Sequence, residues 1–162
     1  MADIIVDGKV KVALVDSISD IDAPTVAELT AGNDITDQLT MDGLVGFAGE
    51  TAEVDTTSLQ STYDTKMPGR TAFSGTALRL KRQSGTDTVY DTYVKDQTSH
   101  VVIRRDGSAA TDAWAASDEV EVYPIVCGET KPVDPEPNTV QRFEVPVMVS
   151  SSPSLRAAVA AS

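Results

Sequence analysis

Imidazole and thiol chemistry in this chain rest on one residue each, because His100 is the only histidine and Cys127 the only cysteine. His100 opens an apolar β-branched run with no Cys, Asp or Glu at ligand spacing, so a structural role outweighs a catalytic one. Cys127 lies among Ile125, Val126 and Gly128, the setting of a small buried hydrophobe. A nucleophilic pair would need the two to meet in space. Gly43, Gly46 and Gly49 are evenly spaced, but Glu50 and Thr51 follow where a phosphate loop needs lysine. Asp16, Asp20 and Asp22 lack the intervals and the glycine of a helix-loop-helix calcium site. Arg104 and Arg105, with Lys81 and Arg82, suggest at most a small basic patch that exposed ion pairing would explain. No constellation of catalytic, metal-ligating or cofactor-binding residues emerges, and the expectation is a protein that is not an enzyme.

Composition narrows the classes further. A chain of 162 residues suits a single domain over 1–162 with a real core. A formal charge of −12 and a pI near 4.3 argue against binding nucleic acid by phosphate neutralisation, which needs clustered Lys and Arg. One cysteine excludes an internal disulfide and the multi-cysteine zinc patterns. No apolar run reaches the length of a membrane span, and Met1-Ala2-Asp3 opens without the regions of a signal peptide, so synthesis inside the cell is expected.

The elements that would position any site are mostly strands. Val10, Val12 and Leu14 alternate with Lys9 and Lys11, predicting a strand over 9–15 with one buried and one wet face. Residues 16–33 read as a loop, with one helical turn over 25–29 started by Pro24. A strand over 35–41 would end at Asp42-Gly43. Leu78 and Leu80 alternate with Arg79 and Lys81 in a long strand over 71–83. Thr86 or Asp87 can cap a two-turn helix carrying Val89, Tyr90, Tyr93 and Val94 on one stripe. Strands follow over 100–105, from Val120 toward Cys127, and over 142–149, where Pro146 suggests an edge or a bulge. Pro132, Pro135 and Pro137 make 131–138 a stiff linker. The tail, about 150–162, reads as flexible, helical only if docked. The sum is a mainly β chain: an antiparallel β-sandwich or barrel with one short flanking helix and a long extended arm.

That arm spans about 43–69, as a long β-hairpin or a flexible excursion. Two readings stay open for it, a mobile surface loop and an arm that orders against a neighbouring subunit. Its candidate assembly residues are Gly46, Gly49, Thr51, Val54, Tyr63, Pro68, Gly69 and Arg70. Extended arms and edge strands leave backbone groups that another copy can complete, so the surfaces are expected to act by assembly.

Several segments together resemble the major tail tube proteins of long-tailed (siphovirus-like) bacteriophages of actinobacterial hosts. They are APTVAEL at 23–29 followed by Gly32 and Asp34-Ile35-Thr36, Pro68-Gly69-Arg70 before a long strand, DTVYDTYV at 87–94 followed by HVVIRR at 100–105, and the final strand over 142–149. The resemblance implies six copies closing into a ring and rings stacking into a hollow tube, a conduit for DNA ejection. It implies that the 43–69 arm and both termini touch adjacent subunits or the next ring, and that strands from each subunit join an inner sheet. It further implies an acidic lumen that lets double-stranded DNA slide without sequence-specific binding, a tape measure protein in the lumen before ejection, and tail terminator and tail tip proteins at the ends. The protein would be made in the host bacterial cytoplasm and end in the virion tail, with no membrane partner, no cofactor and no metal.

The competing expectation is a ligand- or carbohydrate-binding β-sandwich module, with Trp114, Tyr63 and Tyr123 as stacking residues. Aromatics make up only 5% of the chain, which is thin for a sugar platform.

Overall fold

The computed structural model describes residues 1–161. Eleven strands and two short helices follow in the order β1 (Lys11–Val15), α1 (Val26–Ala31), β2 (Asn33–Asp34), β3 (Leu39–Val45), β4 (Glu50–Asp55), β5 (Lys66–Ala72), β6 (Ala77–Lys81), α2 (Thr88–Thr92), β7 (Thr98–Arg104), β8 (Glu119–Cys127), β9 (Lys131–Pro132), β10 (Arg142–Val149) and β11 (Ser154–Ala158). Nine strands form one curled antiparallel sheet in the order β2-β1-β7-β8-β10-β6-β3, with β11 added on β8 and β9 on β10. The other two, β4 and β5, pair only with each other.

Strand parity sorts the sheet into two cores. Val12, Leu14, Val101, Ile103, Tyr123, Ile125, Leu78, Leu80, Phe143 and Val145 fill the concave side, which Val89 and Tyr93 of α2 close. Asp87 caps that helix, its carboxylate accepting from the Tyr90 amide (3.3 Å) and from the Gln83 amide (3.0 Å). On the convex side Ala13, Val15, Val102, Val120 and Val122 meet Leu29 of α1, Trp114, Ala157 and Val159.

Several expectations change for this reason. All five residues of β1 are buried, because both faces of the sheet are covered there. Lys11 escapes the apparent wet face by donating from Nζ to the Asp112 carbonyl (2.8 Å) over the Trp114 ring. Helix α1 starts one residue after Thr25, which caps it in a reciprocal box with Glu28, so Pro24 precedes the cap instead of opening the helix. Residues 35–38 are a turn and Asp42-Gly43 lies inside β3, as a bulge against β6. The strand expected over 71–83 is broken between β5 and β6, at a Gly75 with φ +65°. Pro146 is at no edge: β10 changes partner there, from β6 to β8, so the missing N–H falls between two ladders.

The tail expected to be flexible is instead docked through residues 154–158. β11 pairs with β8, Ser154 Oγ donates to Asp22 (2.6 Å), and the Ala160 amide donates to the Pro24 carbonyl (2.8 Å). Ala157 and Val159 gain burial under α1, which a free tail lacks.

Candidate assembly surface

The chemical pairs that the sequence made improbable do not come together. His100 and Cys127 lie on adjacent strands but on opposite faces, since Cys127 lines the concave core and His100 has the other parity, with Nδ1 donating to the Val15 carbonyl (3.2 Å). Burial pushes the Cys127 thiol up to about 11, the reverse of an activated nucleophile. Arg104 and Arg105 are three strands from Lys81 and Arg82, so the basic patch is not formed. Arg82 stacks on the Tyr90 ring instead. Among the described residues no three His, Cys, Asp or Glu are grouped to hold a metal ion, and no helix is long and apolar enough to cross a membrane. Trp114 and Tyr123 are 8% and 1% exposed, and only Tyr63 is open, so the aromatic trio makes no stacking platform.

What remains open is the β4–β5 hairpin. Its register carries one extra residue on β5: Thr51 faces Thr71, whereas Glu53 faces Pro68, Val54 faces Met67 and Asp55 faces Lys66. The extra length falls at Gly69-Arg70, and a Cβ on Gly69 would meet Val54 Cγ2 at 3.0 Å. Alternation then separates two faces. Glu50, Ala52, Val54, Met67 and Ala72 share one; Thr51, Glu53, Asp55, Lys66, Pro68 and Thr71 share the other, joined by the Thr51–Thr71 hydroxyl pair (3.0 Å) and the Lys66–Glu53 ion pair (2.6 Å). The hairpin is largely amphipathic, and among the described residues no element covers its more apolar face: Val54 is 49% and Met67 58% exposed. At the tip, Thr56 and Thr65 are bonded through backbone and hydroxyls while Leu59 and Tyr63 point into solvent. The Thr57 amide and hydroxyl hold the Asp55 carboxyl below its ordinary range and close the turn.

The root of the hairpin, by contrast, is fixed. Gly46 has φ +72°, and a Cβ there would stand 2.8 Å from the Gly75 carbonyl oxygen, so the two strands can approach only with glycine. Thr76 Oγ1 donates to the Gly46 carbonyl (3.0 Å). Gly49 leaves room for Phe73 and Thr71. Phe47 and Phe73 close edge-on over Tyr123, with centroids 5.1 and 5.8 Å away. The arm expected over 43–69 is therefore a hairpin over 50–72 whose return strand contains Pro68-Gly69-Arg70. The glycines at 46 and 49 serve close approach, a role their spacing alone does not reveal.

A second exposed apolar segment is the N-terminus, with Ile4, Ile5 and Val6 between 59% and 69% exposed. It is anchored at its base by the Ala110 amide donating to the Gly8 carbonyl (2.8 Å) and by Ile4 against Gly107.

Comparison with known proteins agrees with this geometry. The family model described as phage tail tube protein matches residues 1–162. No curated protein matches. Among solved structures, a chain of the six-fold symmetrised anti-feeding prophage baseplate superposes with a TM-score of 0.61 at 9% identity, covering 95% of this chain and 96% of its own. A chain of an extracellular contractile injection system, from a sheath-tube complex in the extended state, gives a TM-score of 0.58 at 13% identity, covering 94% and 91%. At such identities the likeness is one of fold.

Proposed function

The chain belongs to the phage tail tube protein family, and from that premise we propose that it assembles into hexameric rings that stack into the hollow tube through which DNA leaves the virion. As a member of the family it is a structural component of the virion tail. The observation that carries the finer reading is the β4–β5 hairpin, whose more apolar face has no partner among the described residues of its own chain. An isolated two-stranded hairpin is marginal in water, so it is built to be completed by another copy. Six-fold symmetry is the symmetry of the baseplate structure whose chain has this fold. In this reading the N-terminal Ile4-Ile5-Val6 segment supplies a second contact, and sheet edges of neighbouring copies join around the lumen. A head-to-tail contact does not close on itself, so length is set from outside, by a tape measure protein, with terminator and tip proteins at the ends.

Negative-stain electron microscopy of the full chain over a concentration series tests this directly. Rings or tubes with a channel wide enough for duplex DNA are expected. A variant in which residues 50–72 are replaced by a short Gly-Ser turn joining Gly49 to Phe73 should keep the sheet, because the flanking ends are already paired neighbours, and should form no tubes. Polymerisation that survives the deletion would remove the hairpin from the mechanism.

A further inference from the structure

The β4–β5 hairpin has two outer edges, and they are not equivalent. The Thr56 amide donates to the Thr65 carbonyl (2.9 Å), so these two form a bonded pair, and antiparallel alternation makes Val54–Met67 the next one. Asp55–Lys66 and Glu53–Pro68 are the alternate pairs, whose backbone groups turn away from the partner strand. On β5 that outward row fails. Pro68 has a carbonyl there but no N–H, and the extra length at Gly69-Arg70 breaks the pleat directly after it. On β4 the row is intact: Glu53 and Asp55 both offer N–H and C=O, and the strand holds neither a proline nor the extra residue. Among the described residues no strand pairs with either outer edge.

A proline and a bulge close an edge to strand addition, and an edge without them stays open. An open edge matters here because two strands alone are marginal in water, whereas three with an apolar face hold together. The chain also carries a segment suited to be the third. Ile4, Ile5 and Val6 are all β-branched and are 59%, 68% and 69% exposed, and among the described residues they enter no ladder. Within one chain this segment and β4 form no bridge. An antiparallel register with Ile5 opposite Val54 would add Ile5 to the side of the hairpin that holds Val54 and Met67. It would set Asp3 opposite Thr56 and Asp7 opposite Ala52, so that no carboxylate directly faces another.

On the tube reading, on which this inference rests, each copy then has one strand to give and one edge to fill, a head-to-tail contact that propagates. We propose that a second copy docks on the outer edge of β4, adding its Ile4–Val6 segment as a third strand, and that the outer edge of β5 takes none. The proline and the bulge thus give the hairpin a direction.

A matched pair of variants tests the choice of edge. Glu53→Pro and Lys66→Pro break the same Lys66–Glu53 ion pair (2.6 Å), and each removes one outward N–H, the first from β4 and the second from β5. Neither N–H serves the hairpin's own ladder. By electron microscopy Glu53→Pro should lose tubes and Lys66→Pro should keep them. Loss in both, in neither, or in Lys66→Pro alone overturns the assignment to β4. The strand given is read in Ile5→Cys/Val54→Cys tubes, where Cys127 stays buried and out of reach. Mild oxidation should link copies into a series of multimers on a denaturing gel without reductant. Tubes of this variant that run only as monomer overturn the role of Ile4–Val6. A parent chain that forms no tubes overturns the tube reading and this inference with it.

Discussion

Residues 106–118 and residues 50–72 are two long excursions of similar character, rich in Ala, Ser, Thr and Asp, yet the first is locked to the body and the second stands free. The difference is one buried cation. Arg104 is 1% exposed and aims both terminal nitrogens into the 106–118 loop, donating to the carbonyls of Ala109 (2.8 Å), Asp112 (3.1 Å) and Ala113 (3.2 Å) and to the Asp118 carboxylate (3.0 Å). Trp114 folds back over Arg104 and Lys11 and closes the convex core. The hairpin satisfies its backbone internally and offers its apolar side chains outward. Polar composition therefore does not separate a structural loop from an assembly arm; what does is whether the body sends a buried group to meet it.

The sharpest break of this contrast is Arg104→Leu. It leaves the Ala109 and Ala113 carbonyls without the Arg104 donor and removes one donor each from the Asp112 carbonyl and the Asp118 carboxylate, which keep Lys11 and the Ala115 amide, and should cost on the order of 3–5 kcal/mol. In a denaturant titration of the unassembled chain the midpoint should fall accordingly, with 106–118 becoming protease-sensitive first. A near-unchanged midpoint would mean that the loop holds itself. Trp114→Ala comes next, at about 3 kcal/mol for a large buried aromatic, read the same way.

High pH should act on the body as well. Burial, then the Asp16 charge, pushes Tyr93 up to about 12, and burial pushes Cys127 up to about 11. Both folded values lie above the ordinary ones of 10.0 and 9.0. The stability they carry is thus complete below about pH 9 and is lost as pH rises through 11 and 12. Cys127→Ala should flatten the lower part of that loss in fluorescence-monitored alkaline unfolding, and a profile identical to the parent would count against it.

The smallest change in stability belongs to the hairpin, and there the contrast is most useful. Val54→Asp and Met67→Asp alter exposed positions and should shift the midpoint by no more than about 0.5 kcal/mol. Sedimentation should nevertheless show polymer lost. Variants that still polymerise would leave the apolar face without the role assigned to it.

Much of the frame was legible because its signals are local. The Asp87 cap, the α2 stripe of Val89 and Tyr93, and the alternation in β7, β8 and β10 are each read within a few residues. The arm was legible as an extended excursion, placed at 43–69 where the hairpin spans 50–72, and its root was not, since the close approach of Gly46 to Gly75 joins residues far apart in sequence. Lys11 and Arg104 were misread for a related reason: alternation assigns a side chain to a face, and these faces acquire a roof from residues about a hundred positions away or from a loop that folds back. The tail failed likewise, because docking as a strand depends on an edge of β8 that only the assembled sheet presents.

The sequence by itself determined a mainly β chain and the helix capped by Asp87, and it placed an extended arm at about 43–69. These follow from the period of strands and from a cap that closes within three residues. Tertiary structure alone decided which half of the convex face is roofed, which cations are buried or paired, and which apolar faces stay open, because burial is a property of what crosses a surface and not of the strand that forms it.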